Sequence, residues 1–247
     1  MDQKTDLKNM SDTNPKHNSN KSNANTQRKT TMHKPAVFDI NCVLCPRLAR
    51  FLEKIRKQYP EYHALPVPAF GTKDPDLLIV GLAPGMHGAN ASGRPFTGDY
   101  AGIMLYQTLY DFGFSNGPVS KSRDDNLKLH HCRITNAVKC VPPQNKPTGE
   151  EITTCNRYLH AEILQLKPSA GIVALGRIAH NAVLKAMDLK QKDYPFEHAL
   201  LHQPPNKPWL VDSYHCSRYN TQTRRLTQEM FNKVFQSAKR QLQKQSR

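Results

Sequence analysis

Four cysteines and a few polar residues at the ends of apolar runs are the parts of this sequence equipped for chemistry. Cys42 and Cys45 form a Cys-x2-Cys pair followed by Pro46, and fourteen residues separate Cys140 from Cys155. Such a pair with two further thiols at loop positions can make a four-thiolate site. By spacing alone it suits zinc or a [4Fe–4S] cluster. Four buried free thiols are the plain alternative, and Cys132, inside an apolar run, reads as a core thiol. The polar candidates follow four apolar runs, in "GLAPGMHGAN", "TNAVKC", "ALGRIAH" and "SYHCSR". The longest is "GLAPGMHGANASGRPFTGD", residues 81–99. Its glycines let backbone N–H groups and a flat ligand approach closely. It matches neither G-x-G-x-x-G nor G-x-x-x-x-G-K-[ST], which disfavours the two best-defined phosphate loops.

The elements that must position these groups alternate in type. "NCVLCPRLARFLEKIRKQY" has helical spacing through Leu48, Phe51, Leu52 and Ile55. Asp76 to Gly81 reads as a first strand. Asp99 to Phe112 has helical spacing through Ile103, Leu105, Leu109 and Phe112, and "HCRITNAVKC" is a second strand. Thr148 and Glu151 fit a capping box opening a helix to Leu166. "AGIVALG" is a third strand, "RIAHNAVLKAM" a helix, "PWLVDSYH" a fourth strand, and "TRRLTQEMFNKVFQSAKRQLQ" one long basic amphipathic helix. This order predicts an α/β fold: a three-layer α/β/α sandwich around a central, mainly four-stranded parallel sheet. Ligands of such sheets bind beyond the carboxyl ends of the strands, which is where the four polar stretches fall.

Composition narrows the partner. The chain has 247 residues, 35 Lys+Arg against 20 Asp+Glu and a formal net charge of +15, which favours a polyanion, most simply nucleic acid. Residues 1–34 are Asn-, Ser-, Thr- and Lys-rich and are expected to form a disordered tail, leaving one domain over 35–247. No apolar run is long enough to span a membrane, and no apolar leader opens the chain, so a cytoplasmic protein is expected, nucleoid-associated when on DNA.

Taken in order, "GLAPGMHGANASGRPFTGD", "ITNAVKCVPPQNKPT", the cysteine spacing, "ALGRIAH" and "SYHCSRYNTQTRRLT" resemble the uracil-DNA glycosylase superfamily. The closest resemblance is to family 5, the type-B iron–sulfur enzymes. Family 4 usually carries Glu where this chain has Leu82. The third motif reads His215-Cys216-Ser217 instead of the usual His-Pro-Ser, and Pro95 before Phe96 is more like family 4.

The resemblance implies a monomeric DNA-repair enzyme that flips uracil, and other deaminated or modified bases, out of double- or single-stranded DNA and hydrolyses the glycosidic bond. Gly81, Ala83, Pro84, Gly85, His87 and Asn90 would line the base pocket. Phe96 would stack on the base, Asn136 read its edge, and His215 donate to the departing pyrimidine O2. Asp99 would position water, although an Asp there equally suits a helix N-cap. Ser217, Arg218, Arg224 and Arg225 would contact DNA, and Cys42, Cys45, Cys140 and Cys155 would hold the cluster, with zinc as the alternative. Lys139 and Lys146, flanking the thiols, would face phosphates. A non-catalytic zinc-containing nucleic-acid binder is the rival reading.

Overall fold

The computed structural model describes residues 36–245; the tail expected over 1–34 lies outside the described residues. Six strands form one sheet: β1 (Phe70–Gly71), β2 (Leu77–Gly81), β3 (Cys132–Asn136), β4 (Gly171–Leu175), β5 (Leu201–His202) and β6 (Trp209–Ser213). Their order is β1-β3-β2-β4-β6-β5. The four central strands are parallel, and the two-residue edges β1 and β5 pair antiparallel. Those edges were not legible, because two residues carry no periodicity. The parallel strands are buried on both faces, hence their unbroken apolar runs.

The helices are α1 (Pro46–Gln58), α2 (Ala89–Ser92), α3 (Tyr100–Asp111), α4 (Gly149–Leu164), α5 (Arg177–Ala186), α6 (Arg218–Gln222) and α7 (Gln228–Gln245). On one face Leu105 and Leu109 of α3 and Phe231 and Phe235 of α7 pack on Leu77, Ile79 and Val211. On the other, Leu159 of α4 and Val183 of α5 pack on Leu78, Val80 and Leu210. The three layers are therefore those read from the sequence. Helix α1 packs aside through Leu48, Leu52 and Ile55, against Val138, Val141 and Tyr158. The capping box is complete: Thr148 Oγ1 accepts from Glu151 N, and Glu151 Oε2 accepts from Thr148 N at 2.8 Å.

One expectation needs correction. The long basic helix expected from Thr223 starts only at Gln228, and residues 223–227 form a turn between it and the short helix α6. Ser217 caps α6, Arg224 turns left-handed at φ +55°, and the Leu226 N–H donates back to Asn220 O at 3.0 Å. Burial of Leu226 in the core outweighs helix continuity. The second strand also ends at Asn136, short of Cys140. Among the described residues no helix is long and apolar enough to cross a membrane.

The centre of the sheet depends on one close approach. Gly171 pairs with Trp209 across β4 and β6, and a Cβ on Gly171 would lie 2.0 Å from the indole. Gly171→Ala is expected to lose stability by about 1–3 kcal/mol through overpacking. Trp209 is the single tryptophan, so its fluorescence in denaturant unfolding reads the loss directly.

Candidate active site

The site forms where β2 and β3 end side by side, Gly81 opposite Asn136, and where β4 and β6 end as Leu175 opposite Ser213. Chain order reverses there, because β3 lies on one side of β2 and β4 on the other. Gly81 makes the junction compact. A Cβ on it would stand 2.5 Å from Asn136 Oδ1 and 2.6 Å from Phe96 Cζ. Phe96 is held left-handed at φ +59°, a conformation that costs a bulky residue of order 1–3 kcal/mol and collects at functional sites. Its ring lies 6.2 Å from the His215 ring, tilted by 26°. Asn136 is buried and its Oδ1 has no hydrogen-bond partner among the described residues. An orphaned buried acceptor is costly unless a ligand satisfies it.

Asp99 takes the N-cap backbone position of α3, yet its side chain makes no cap hydrogen bond. It turns back into the loop, where Oδ2 accepts from the Ala89 N–H at 3.0 Å. Its Oδ1 lies against Gly85 and Gly88, on which a Cβ would approach to 2.1 Å. Burial pushes the Asp99 pKa up, and the N–H groups of Ala89 and Gly85 pull it back in part. His215 sits above Gly176 of "ALGRIAH", at which a Cβ would come within 3.3 Å. Burial lowers its pKa to about 4, so the imidazole is neutral at neutral pH. Its backbone carbonyl accepts from Asn220 Nδ2 at 2.8 Å, which ties it to α6.

These groups face one cavity of about 450 Å³. Of the residues picked from sequence, Ala83, Gly85, Phe96, Asp99, Asn136 and His215 line it, with Ser217 and Arg218 at its rim. Gly81 backs it. Leu82, Tyr100, Ala101 and Asn145 also line it and were missed; only proximity in the chain to named residues could have marked the first three. Pro84, His87 and Asn90 do not line it. His87 faces solvent and bonds to the Tyr62 hydroxyl at 2.8 Å. Asn90 is buried within α2, with Nδ2 donating to Met86 O. Arg224 is exposed outside the cavity, and Arg225 lies over the Tyr214 ring at 5.0 Å.

The cysteines converge separately. Cys42, Cys45, Cys140 and Cys155 line one small cavity with Leu48, Val138 and Tyr158. Burial raises the Cys45 pKa to about 11 and pushes Cys140 and Cys155 up as well, and the thiols raise one another. Four thiolates there call for a cation. The Lys139 N–H donates to Cys155 Sγ at 3.3 Å, but its ammonium is a correction to the sequence reading. It is buried, bonded to Thr135 Oγ1 and to both Glu162 oxygens at 2.9 and 3.0 Å, and cannot reach a phosphate. Lys146 is exposed, its carbonyl accepting from Arg47 Nη2 at 3.1 Å. A buried His180–Asp212–His202 set joins α5, β5 and β6, with Asp212 bonded to both rings at 2.7 and 3.0 Å.

Two opposite pH effects follow. Between the raised folded pKa of Asp99 and its lower unfolded value, the folded state holds more protons, so ionised Asp99 costs stability as pH rises. For His215 the unfolded state holds more protons between about pH 6.5 and about 4, so stability is lost as pH falls through that window. Asp99→Asn is therefore expected to melt no lower than wild type at neutral pH. A melting temperature several degrees lower would show instead that the ionised carboxylate stabilises the loop through the N–H groups it accepts from.

A model of the uracil DNA glycosylase superfamily matches residues 68–239. A type-5 uracil-DNA glycosylase of Thermus thermophilus is 46% identical over 204 residues, covering 81% of this chain and 93% of the relative. One from Pyrobaculum aerophilum is 38% identical over 203 residues, 81% of this chain and 88% of its own. A type-4 uracil-DNA glycosylase of that organism is 37% identical over 148 residues, 60% of this chain and 61% of its own. The matched stretch takes in all four strand ends around the cavity, and the chain belongs to the uracil DNA glycosylase superfamily.

Proposed function

We propose that this chain excises uracil from DNA by hydrolysing the N-glycosidic bond and leaves an abasic site. The observation that carries the proposal is the orphaned Oδ1 of buried Asn136, set in one cavity with Phe96, neutral His215 and desolvated Asp99. The bond breaks as the sugar becomes oxocarbenium-like and the base leaves as an anion. Phe96 stacks on the flipped base, and the Asn136 amide offers an acceptor and donors to its edge. A neutral imidazole donates a hydrogen bond to the pyrimidine O2 as charge builds there; such donors contribute about 3–4 kcal/mol. Asp99, ionised and held by two N–H groups, orients water and faces the cationic sugar. Arg218 at the rim, with Arg224 and Arg225, holds phosphates of double- or single-stranded DNA, and the protein acts as a monomer in the cytoplasm. Other deaminated or modified bases enter the same cavity.

The four cysteines suit a [4Fe–4S] cluster better than zinc. Four sulfurs on one zinc stand about 3.8 Å apart, given Zn–S bonds of about 2.3 Å. Among the described residues, the only trio with ligand atoms all within 4.8 Å of one another is His180, His202 and Asp212, so the sulfurs are more widely set. Bound there, a cluster would act as a staple joining α1 to α4. A non-catalytic zinc-containing binder leaves no part for Asn136, His215 or Asp99, and the relatives do not favour it.

Four outcomes test this reading. Oligonucleotides carrying uracil, hypoxanthine, ethenocytosine or hydroxymethyluracil should lose base, uracil above all; intact uracil strands would refute the activity. Asp99→Asn should keep DNA binding and lose about 100-fold or more in single-turnover rate. Activity should rise with pH as Asp99 ionises, on a limb displaced upward from that of an ordinary exposed carboxylate. Anaerobically purified protein should carry about four irons per chain; stoichiometric zinc without iron would overturn the cluster assignment.

A further inference from the structure

Helix α3 is apolar on the wrong side. Its sequence YAGIMLYQTLYD has one charged residue. Ala101, Leu105 and Leu109 face the core, yet Tyr100, Ile103 and Tyr110 also present large apolar groups to solvent. A helix apolar all round is ordinarily buried all round.

The exposed side forms one wall of a groove of about 510 Å³, as large as the catalytic cavity. Tyr100, Ile103 and Gln107 make that wall; Pro118, Val119 and Ser120 make the other. Tyr100 is 45% exposed, Ile103 67% and Val119 56%. The groove is continuous with the catalytic cavity, since Phe96, Asp99 and Tyr100 line both. Tyr100 is the ridge between them, and the Arg218 guanidinium lies 5.8 Å from its ring centroid. Lys121 and Arg123 are exposed just past Ser120. A strip of apolar and aromatic groups between cations is the pattern that tracks a nucleic-acid strand.

The far wall is preformed. Buried Arg94, two residues before Phe96, donates to Ser120 Oγ at 2.9 Å, to Asp125 Oδ1 at 2.6 Å and to the Arg123 carbonyl. Thr97 Oγ1 and Ser120 Oγ are 2.6 Å apart. Asp125 also accepts from the Lys121, Ser122 and Leu127 N–H groups. Burial would raise its pKa, but these donors hold it down at about 2. The same loop thus sets the base-stacking ring and the groove wall.

The geometry points to a second nucleotide subsite: the groove takes the nucleobase next to the flipped one on the same strand, unstacked and seated on the Tyr100–Ile103 face. This rests on the proposed glycosylase reading. It commits to DNA because the groove opens from the cavity that receives the flipped base and its ends are cationic. One stacked base is worth a factor of about five or more in affinity.

The test pairs two single strands with two proteins. One strand carries uracil between normal nucleotides. The other carries tetrahydrofuran abasic units in place of the flanking bases. The proteins are wild type and Ile103→Gln/Val119→Ser, both changes being at exposed positions. Binding is read by fluorescence anisotropy and base release by single turnover, after melting curves establish that the variant folds. Wild type should prefer the strand with flanking bases by about five-fold or more beyond the preference of the variant. The effect of the spacers on flipping is common to both proteins and cancels. Equal preferences in the two proteins overturn the subsite, as they would if the groove served a protein partner. Wild type that binds but releases no uracil refutes the catalytic reading, while the binding ratios still decide the groove.

Discussion

A partly desolvated carboxylate organises this site. Asp99 stands at the head of α3 but spends its oxygens on the loop, not on its own helix, with Ala89 donating to it and Gly85 and Gly88 pressed against it. The glycines are needed because a side chain at either position would occupy the space of the carboxylate. Two N–H donors offset only part of the desolvation cost, and the residue remains hard to ionise. The loop from Gly81 to Asp99 is therefore folded around a charge it holds at a cost. Phe96, left-handed within the same loop, adds backbone strain of similar kind. Sites that store such strain need rigid surroundings. Here the four parallel strands supply them, with the Arg94 network.

The thiol region is braced in a comparable way. Arg47, in the first turn of α1, grips Glu151 with two hydrogen bonds of 2.7 Å, and Glu151 is also the N3 member of the capping box of α4. One carboxylate thus joins the helix after Cys45 to the helix holding Cys155. The Glu151 pKa is lowered first by the Arg47 hydrogen bond, although Arg47 itself is well exposed, so the pair is a modest brace and not a major source of stability. The loop between Cys140 and α4 carries Asn145 to the catalytic cavity, and so one segment of chain runs from the thiol region to the site.

What the sequence made legible follows from how local each signal is. The capping box at Thr148 and Glu151 is complete within four residues and was readable outright. Asn136 and His215 were readable because a parallel sheet delivers its strand ends to one edge, whatever lies between. His87 and Asn90 were misread because membership in a loop does not say which way a side chain turns; the turn before α2 leaves His87 in solvent, and α2 buries Asn90. Lys139 looked basic and exposed beside Cys140, but its ammonium reaches Glu162 on α4, a partner visible only in three dimensions. Asn145 was missed for the same reason. The turn at Arg224 was hidden because the periodicity of α7 continues backward through residues that the buried Leu226 pulls out of line.

The thiol cavity also sets a timetable. Cys42 and Cys45 precede Cys140 by 98 and 95 residues, and Cys155 comes later still. At about 5–20 residues per second the first pair leaves the ribosome on the order of 5–20 seconds before a third sulfur exists to join it. During that interval helix α1 has neither Val138 and Tyr158 to pack on nor Glu151 for Arg47 to hold. The earliest thiols thus wait longest before the cavity can form around them. A reducing compartment at the moment of synthesis matters more for this chain than for one whose four cysteines lie within a single hairpin.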